Sequence, residues 1–192
     1  MRFNSMLLAM GVWLTPIGAP AQDAIFWKTV GDWEISIDTT IGNGCYALAS
    51  WKGGAVLRIG LNPAEDNFYM LLGNDNWASL EPEQSYDIEI KFGNKPAWEV
   101  AARGLQFNPG ETVYLHAQST KFDFIEEFMR QSKMVVTYNG NEIENLSLRG
   151  SSRAFKSVIA CQEEVDAGAL VDDPFAGSGS TSGRKSADPF SN

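Results

Sequence analysis

Tyr86-Asp87-Ile88-Glu89-Ile90-Lys91-Phe92 alternates large apolar and polar residues without a break, and a period of two is what a strand with one buried face requires. Trp33-Glu34-Ile35-Ser36-Ile37 does the same. Gly53-Gly54 separates the runs 46–51 and 55–61, and Asn139-Gly140 separates 134–138 from 142–148. Both dipeptides accept the positive φ of a tight hairpin turn. Further strands are expected over 68–72, 98–104 and 112–117, with Asn94-Lys95-Pro96 turning the chain before Trp98. The pattern predicts a mainly β (α+β) fold: an antiparallel β-sandwich or partly open barrel of about nine strands with two short helices.

The helices come from two departures from that period. Phe122, Ile125 and Met129 keep helical spacing with Phe124 and Phe128 beside them, so a helix is expected over 121–131. Thr120 stands at its N-cap and Asp123 at the third helical position. After Leu148-Arg149-Gly150, Ser151 or Ser152 is placed to cap a second helix carrying Ala154, Phe155, Val158, Ile159 and Cys161 towards the sheet.

The two ends of the chain differ in composition from this middle. Arg2, the apolar run 6–13 and Ala19-Pro20-Ala21 form the three parts of a cleavable secretory signal over 1–21. Pro16, Gly18 and Pro20 interrupt it well short of the roughly 20 apolar residues that a membrane span needs. From Asp166 the chain turns to Gly, Ser and Asp, a composition that buries too little surface to offset its ordering entropy. The expected organisation is a signal peptide over 1–21, one β-rich domain over 22–165 and a disordered tail over 166–192. The tail repeats one triplet, Asp173-Pro174-Phe175 and Asp188-Pro189-Phe190.

Export bears on the only cysteines, Cys45 and Cys161. An oxidising compartment favours their single possible intramolecular pairing, a disulfide closing the loop from residue 45 to residue 161. No Cys-x-x-Cys redox motif occurs, and neither cysteine lies where a lipoprotein carries its acylated one. The expected address is the periplasm or the outside of the cell, with no membrane insertion once the signal is cleaved. The formal net charge of −9, more negative still once Arg2 leaves, excludes phosphate-neutralising nucleic-acid binding.

Catalytic chemistry finds little purchase. His116 is the only histidine; it shares strand parity with Thr112 and Tyr114 and is expected to face solvent. With both cysteines paired, no zinc ligand set remains, and no nucleophile elbow or phosphate-binding glycine loop is present. No catalytic, cofactor-binding or metal residue is assigned, and no cofactor is expected. Glycosidases need only two carboxyl groups about 5 to 9.5 Å apart, for which Asp38, Glu65, Asp66, Asp75, Glu81 and Glu83 are the candidate acids. With 24 acidic residues in the chain, a solvated acidic surface accounts for most of them. Among the tryptophans, Trp33 and Trp98 are expected in the core, and Trp77, in the turn-rich Gly73-Asn74-Asp75-Asn76-Trp77, is the candidate contact for a partner.

The order of an exported leader, "VGDWEIS", a first cysteine, "YDIEIKFGNKPAW", "FIEEFMRQSKMVVTYNG" and "LSLRGSSRAFKSVIACQ" resembles small periplasmic proteins of alphaproteobacteria, over roughly residues 30 to 163. The ending is also distantly similar to the invasion-associated locus B family, whose cysteine pattern is richer. The resemblance implies a periplasmic address. The expected function is that of a non-catalytic exported binding or interaction protein, its partner an envelope protein or a glycan. The alternative is a small, glycosidase-like hydrolase of the cell envelope that works through carboxylates.

Overall fold

The computed structural model describes residues 24–168; the segment 1–21 expected to be a signal peptide, both Asp-Pro-Phe triplets and most of the expected tail lie outside them. The strands are β1 (Ala24–Val30), β2 (Trp33–Asp38), β3 (Gly44–Ser50), β4 (Ala55–Asn62), β5 (Asn67–Asn74), β6 (Ser85–Phe92), β7 (Trp98–Leu105), β8 (Tyr114–Ser119), β9 (Lys133–Tyr138) and β10 (Asn141–Ser147). The helices are α1 (Asp123–Arg130) and α2 (Ser151–Asp166). All ten strands join one antiparallel sheet in the order β1-β2-β3-β4-β5-β8-β7-β6-β9-β10.

Alternation divides this sheet into two faces. Ile35, Ala47, Leu57, Ile59, Met70, Leu72, Ile88, Ile90, Leu115 and Val136 turn inward and are almost fully buried. They meet Phe124 and Phe128 of α1 and Phe155 and Val158 of α2 in one core. The sheet curls as it does so. Trp33 at the start of β2 donates from Nε1 to the Arg149 carbonyl just past β10, at 3.0 Å, and its ring meets Trp51 and Phe128 edge-on. Asn74 at the end of β5 donates to Glu144 of β10. A single sheet folded over its own core in this way, with β1 and β10 left as edges, is a partly open barrel.

Four expectations shift in detail. A tenth strand, β1, precedes the nine read from the sequence. Its register slips between Phe26 and Lys28, and a bulge of this kind erases the period of two on which strand recognition depends. Helix α1 begins at Asp123 with Phe122 at its N-cap and no side-chain cap. Phe122 and Phe124 both pack on Phe68, at 5.8 and 5.7 Å between ring centroids, so ring packing and not Thr120 sets where the helix starts. Helix α2 begins after Gly150, whose φ of 86° lies where a glycine avoids the Cβ clash. Ser151 does not cap it; its hydroxyl is buried and donates to the Phe128 carbonyl at 2.9 Å, tying the two helices together. Trp98 is only half-buried, because its Nε1 reaches out to Glu127 of α1 at 3.0 Å.

Cys45 of β3 and Cys161 of α2 are bonded, with their Cα atoms 6.1 Å apart and both side chains fully buried. Beside them the Cys45 N–H donates to Oε1 of Gln162 at 2.9 Å. No helix among the described residues is long and apolar enough to cross a membrane.

Candidate functional site on the outer face of the sheet

The side of the sheet turned away from the helices carries its own small cluster, built on β2, β3, β4, β5 and β8. Tyr46, Tyr69 and Leu71 are buried there, packed by Ile41, Leu48, Leu105 and Tyr114 and not by α1 or α2. The ladders put their neighbours in place: Tyr46 lies opposite Gly60, Arg58 opposite Leu71, Tyr69 opposite Gln118, and Leu71 opposite His116. Gly60 is required for this. A Cβ there would lie 2.5 Å from the Tyr46 Cβ and 2.7 Å from the Cys45 carbonyl oxygen.

Arg58 organises the cluster. Its guanidinium carbon stacks 3.7 Å from the centroid of the Tyr46 ring and 5.2 Å from that of Tyr69, distances at which the ring quadrupole attracts a cation. Its Nε donates to the Tyr69 hydroxyl at 2.7 Å, and a terminal nitrogen forms an ion pair with Asp38. The second Asp38 oxygen accepts the Thr40 backbone N–H at 2.8 Å and the Thr40 hydroxyl. Burial opposes the charge on Asp38, but the bonds from Thr40 and Arg58 outweigh it and hold the carboxyl below its usual range. Burial likewise works against Arg58, yet Tyr69, Asp38 and Tyr46 together keep its pKa above the ordinary value. Both phenols are pushed up by burial, Tyr69 the more strongly. Tyr69 therefore keeps its proton and, while accepting from Arg58, retains a donor of its own.

The cluster floors a cavity of about 190 Å³ whose walls include Arg58, Tyr69, His116, Gln118, Leu105 and Phe107. Phe107 is 56% exposed at its rim and meets Tyr114 edge-on at 5.8 Å. Glu65, from the turn between β4 and β5, borders the same cavity; its Oε2 accepts from Gln118 at 2.8 Å and Asn67 at 3.1 Å.

His116 has the parity the sequence assigns it, on the face opposite Leu115 and Ala117. It is, however, half-buried against Tyr69, with ring centroids 6.4 Å apart, and not open to solvent. Neighbouring strands and the Phe107 loop close over this part of the outer face, which strand parity alone does not reveal. Burial pushes its pKa down; Glu65 opposes that and Arg58 reinforces it. The unfolded chain takes up this proton near pH 6.5, whereas the folded chain does so only at lower pH. The contribution of neutral His116 to stability is therefore complete above that range and is lost progressively as pH falls through it. Urea unfolding of the protein and of His116→Gln at pH 7.5 and 5.5 should show a smaller loss on acidification in the variant. Equal losses would contradict the assignment.

The six candidate acids are scattered. Asp38 and Glu65 come together at the cavity, while Asp66 borders a groove beside α1 and α2. Asp75 accepts from Thr112, Glu81 donates its backbone N–H to the Tyr86 hydroxyl at 2.8 Å, and Glu83 pairs with exposed Arg103. Trp77 is half-buried, packs on the core and lines a separate cavity of about 370 Å³ with Leu80, Tyr86 and Tyr138. A third opening, of about 200 Å³, is a slot reaching Met70, Ile90 and Phe124. It lies where β7 and β8, paired only through Arg103, Gly104 and Leu105, part from one another. Sequence reasoning missed Arg58, Tyr46 and Tyr69; the signal for Arg58 was a lone cation between Leu57 and Ile59 on a strand whose other face is core.

Among the described residues no group of three or more His, Cys, Asp or Glu side chains is placed to hold a metal ion. The fold and the site define a class: a mainly antiparallel β domain, stapled by a disulfide and carrying a charged aromatic cluster on its outer face. Comparison with protein-family models, with curated proteins and with solved structures returns no match.

Proposed function

We propose that this chain is a non-catalytic, exported binding protein of the periplasm, and that its ligand site is the outer-face cavity over Arg58. The observation that carries the reading is the buried Arg58–Asp38 pair stacked on Tyr46 and Tyr69 beneath an open cavity. A concave site with an apolar wall and a few converging polar groups is the usual form of a small-molecule pocket. The saturation of Asp38 favours binding over hydrolysis, since both its oxygens are engaged and its charge is held by Arg58. The bonded cysteines and the leader-like opening support an oxidising, extracytoplasmic address, as does the resemblance to small alphaproteobacterial periplasmic proteins.

Screening a library of small soluble fragments by two-dimensional amide NMR tests this. The expected hits perturb the amides of Arg58, Tyr69, His116 and Gln118 and vanish in Gln118→Trp, which fills the cavity mouth from an exposed position. Hits confined to the Trp77 cavity or to the slot between β7 and β8 would overturn the assignment of the site.

A further inference from the structure

Two buried side-chain atoms in the described residues have no hydrogen-bond partner, Oδ1 of Asn62 and Oδ1 of Asn67. Both are acceptors, and they stand at the two ends of one turn, paired across the last rung of β4 and β5. Asn62 is 5% exposed and borders the outer cavity together with Glu65 and His116. A buried acceptor left unpaired is costly, and a ligand that supplies a donor removes the cost.

The charges around the cavity select the kind of donor. Arg58 is already neutralised by Asp38 and tied to Tyr69, so it offers an incoming anion little. Among the described residues Glu65 pairs with no cation; its Oε2 accepts from the amides of Gln118 and Asn67, which leaves Oε1 as a further acceptor. The His116 ring makes no hydrogen bond among the described residues, and burial disfavours its charged form. A neutral imidazole presents one lone pair as an acceptor. The net charge of −9 raises the local concentration of cations over anions.

We propose that the ligand carries a primary alkylammonium group, whose three N–H donors meet Glu65, the Asn62 side-chain oxygen and the His116 ring while its alkyl chain lies along Leu105 and Phe107. An ammonium has three donors and no acceptor, which matches a site offering acceptors of three kinds. The apolar wall and the exposed Phe107 ring suit an aliphatic stem, much as protein surfaces cover the stem of lysine.

The inference rests on the outer cavity being the ligand site, and the experiment separates the two. n-Butylammonium chloride, n-butanol and sodium propionate are titrated into the full protein at constant ionic strength, with the Asn62 and Asn67 side-chain amides and the His116 ring followed by NMR. n-Butylammonium should perturb these groups with at least about tenfold higher affinity than n-butanol, since charge-assisted bonds are the strong ones. Glu65→Gln, which keeps the side-chain shape and the contact with Gln118, should remove most of that advantage, and Asn62→Leu should reduce it. Equal binding of amine and alcohol, or an amine response unchanged in both variants, would overturn the ammonium assignment. Propionate alone binding at these residues would overturn it while leaving the cavity as the ligand site; hits elsewhere in the fragment screen would remove both.

Discussion

Replacing both cysteines (Cys45→Ala with Cys161→Ala) should lower the free energy of unfolding by about 4.7 kcal/mol, the chain-entropy value for a loop of roughly 100 residues. The bonded pair is separated by 116 residues, so it restrains most of the domain in the unfolded ensemble. Domains of this size are stable by about 5 to 15 kcal/mol in total, and the double variant should sit near the edge of folding at 37 °C. Urea denaturation with and without reductant measures the effect. The bond joins β3 to α2, and Gln162 of α2 also accepts the Cys45 N–H. Helix α2 should therefore lose hydrogen-exchange protection ahead of the far strands β6, β7 and β9. A change below about 1 kcal/mol would mean that the native fold holds α2 in place without the bond.

Arg58→Met should cost about 3 kcal/mol, because it leaves the Asp38 carboxylate in a site where its side chain is only 11% exposed, and stranding one member of a buried pair is strongly destabilising. Two comparisons isolate the cause. Asp38→Leu with Arg58→Met removes both charges and should recover most of the loss, since apolar replacement of a buried pair is often neutral. Arg103→Met breaks an ion pair whose side chains are 62% and 67% exposed and should change stability by less than about 1 kcal/mol. If Arg58→Met and Arg103→Met behaved alike in thermal unfolding, the outer cluster would carry no more weight than an ordinary surface contact. The Arg58→Met protein, where still folded, should also lose the fragment response at Tyr69.

Legibility in the sequence followed the strength of the period. Strands β2 and β6 were readable to within a residue or so because their inward positions are large and apolar and their outward ones are not, and β4 because the Gly53-Gly54 turn marks its start. β1 was not readable, since its bulge and its edge position leave Ile25 and Phe26 exposed. Helix α2 was readable, but the role of Ser151 was not; from the sequence it is a cap, and only the approach of α1 makes its hydroxyl an inter-helix donor. In the candidate site, Asp38, Glu65 and His116 were visible one by one as titratable residues. Nothing local linked them to each other or to Arg58.

By itself the sequence determined the mainly β class, about nine strands, the two helices and the one possible cysteine pair, because each depends on short-range periodicity, on turn signals or on simple counting. The tertiary structure decided how the strands are ordered, with β8 inserted between β5 and β7, and that order brings His116 and Gln118 beside Leu71 and Tyr69. It also decided that Arg58, on the face that alternation marks as solvent, is enclosed by two tyrosines and an aspartate. Strand parity selects a face, but the neighbours on that face come from strands far apart in the chain, and their assembly depends on ladder register and sheet curvature that no local pattern encodes.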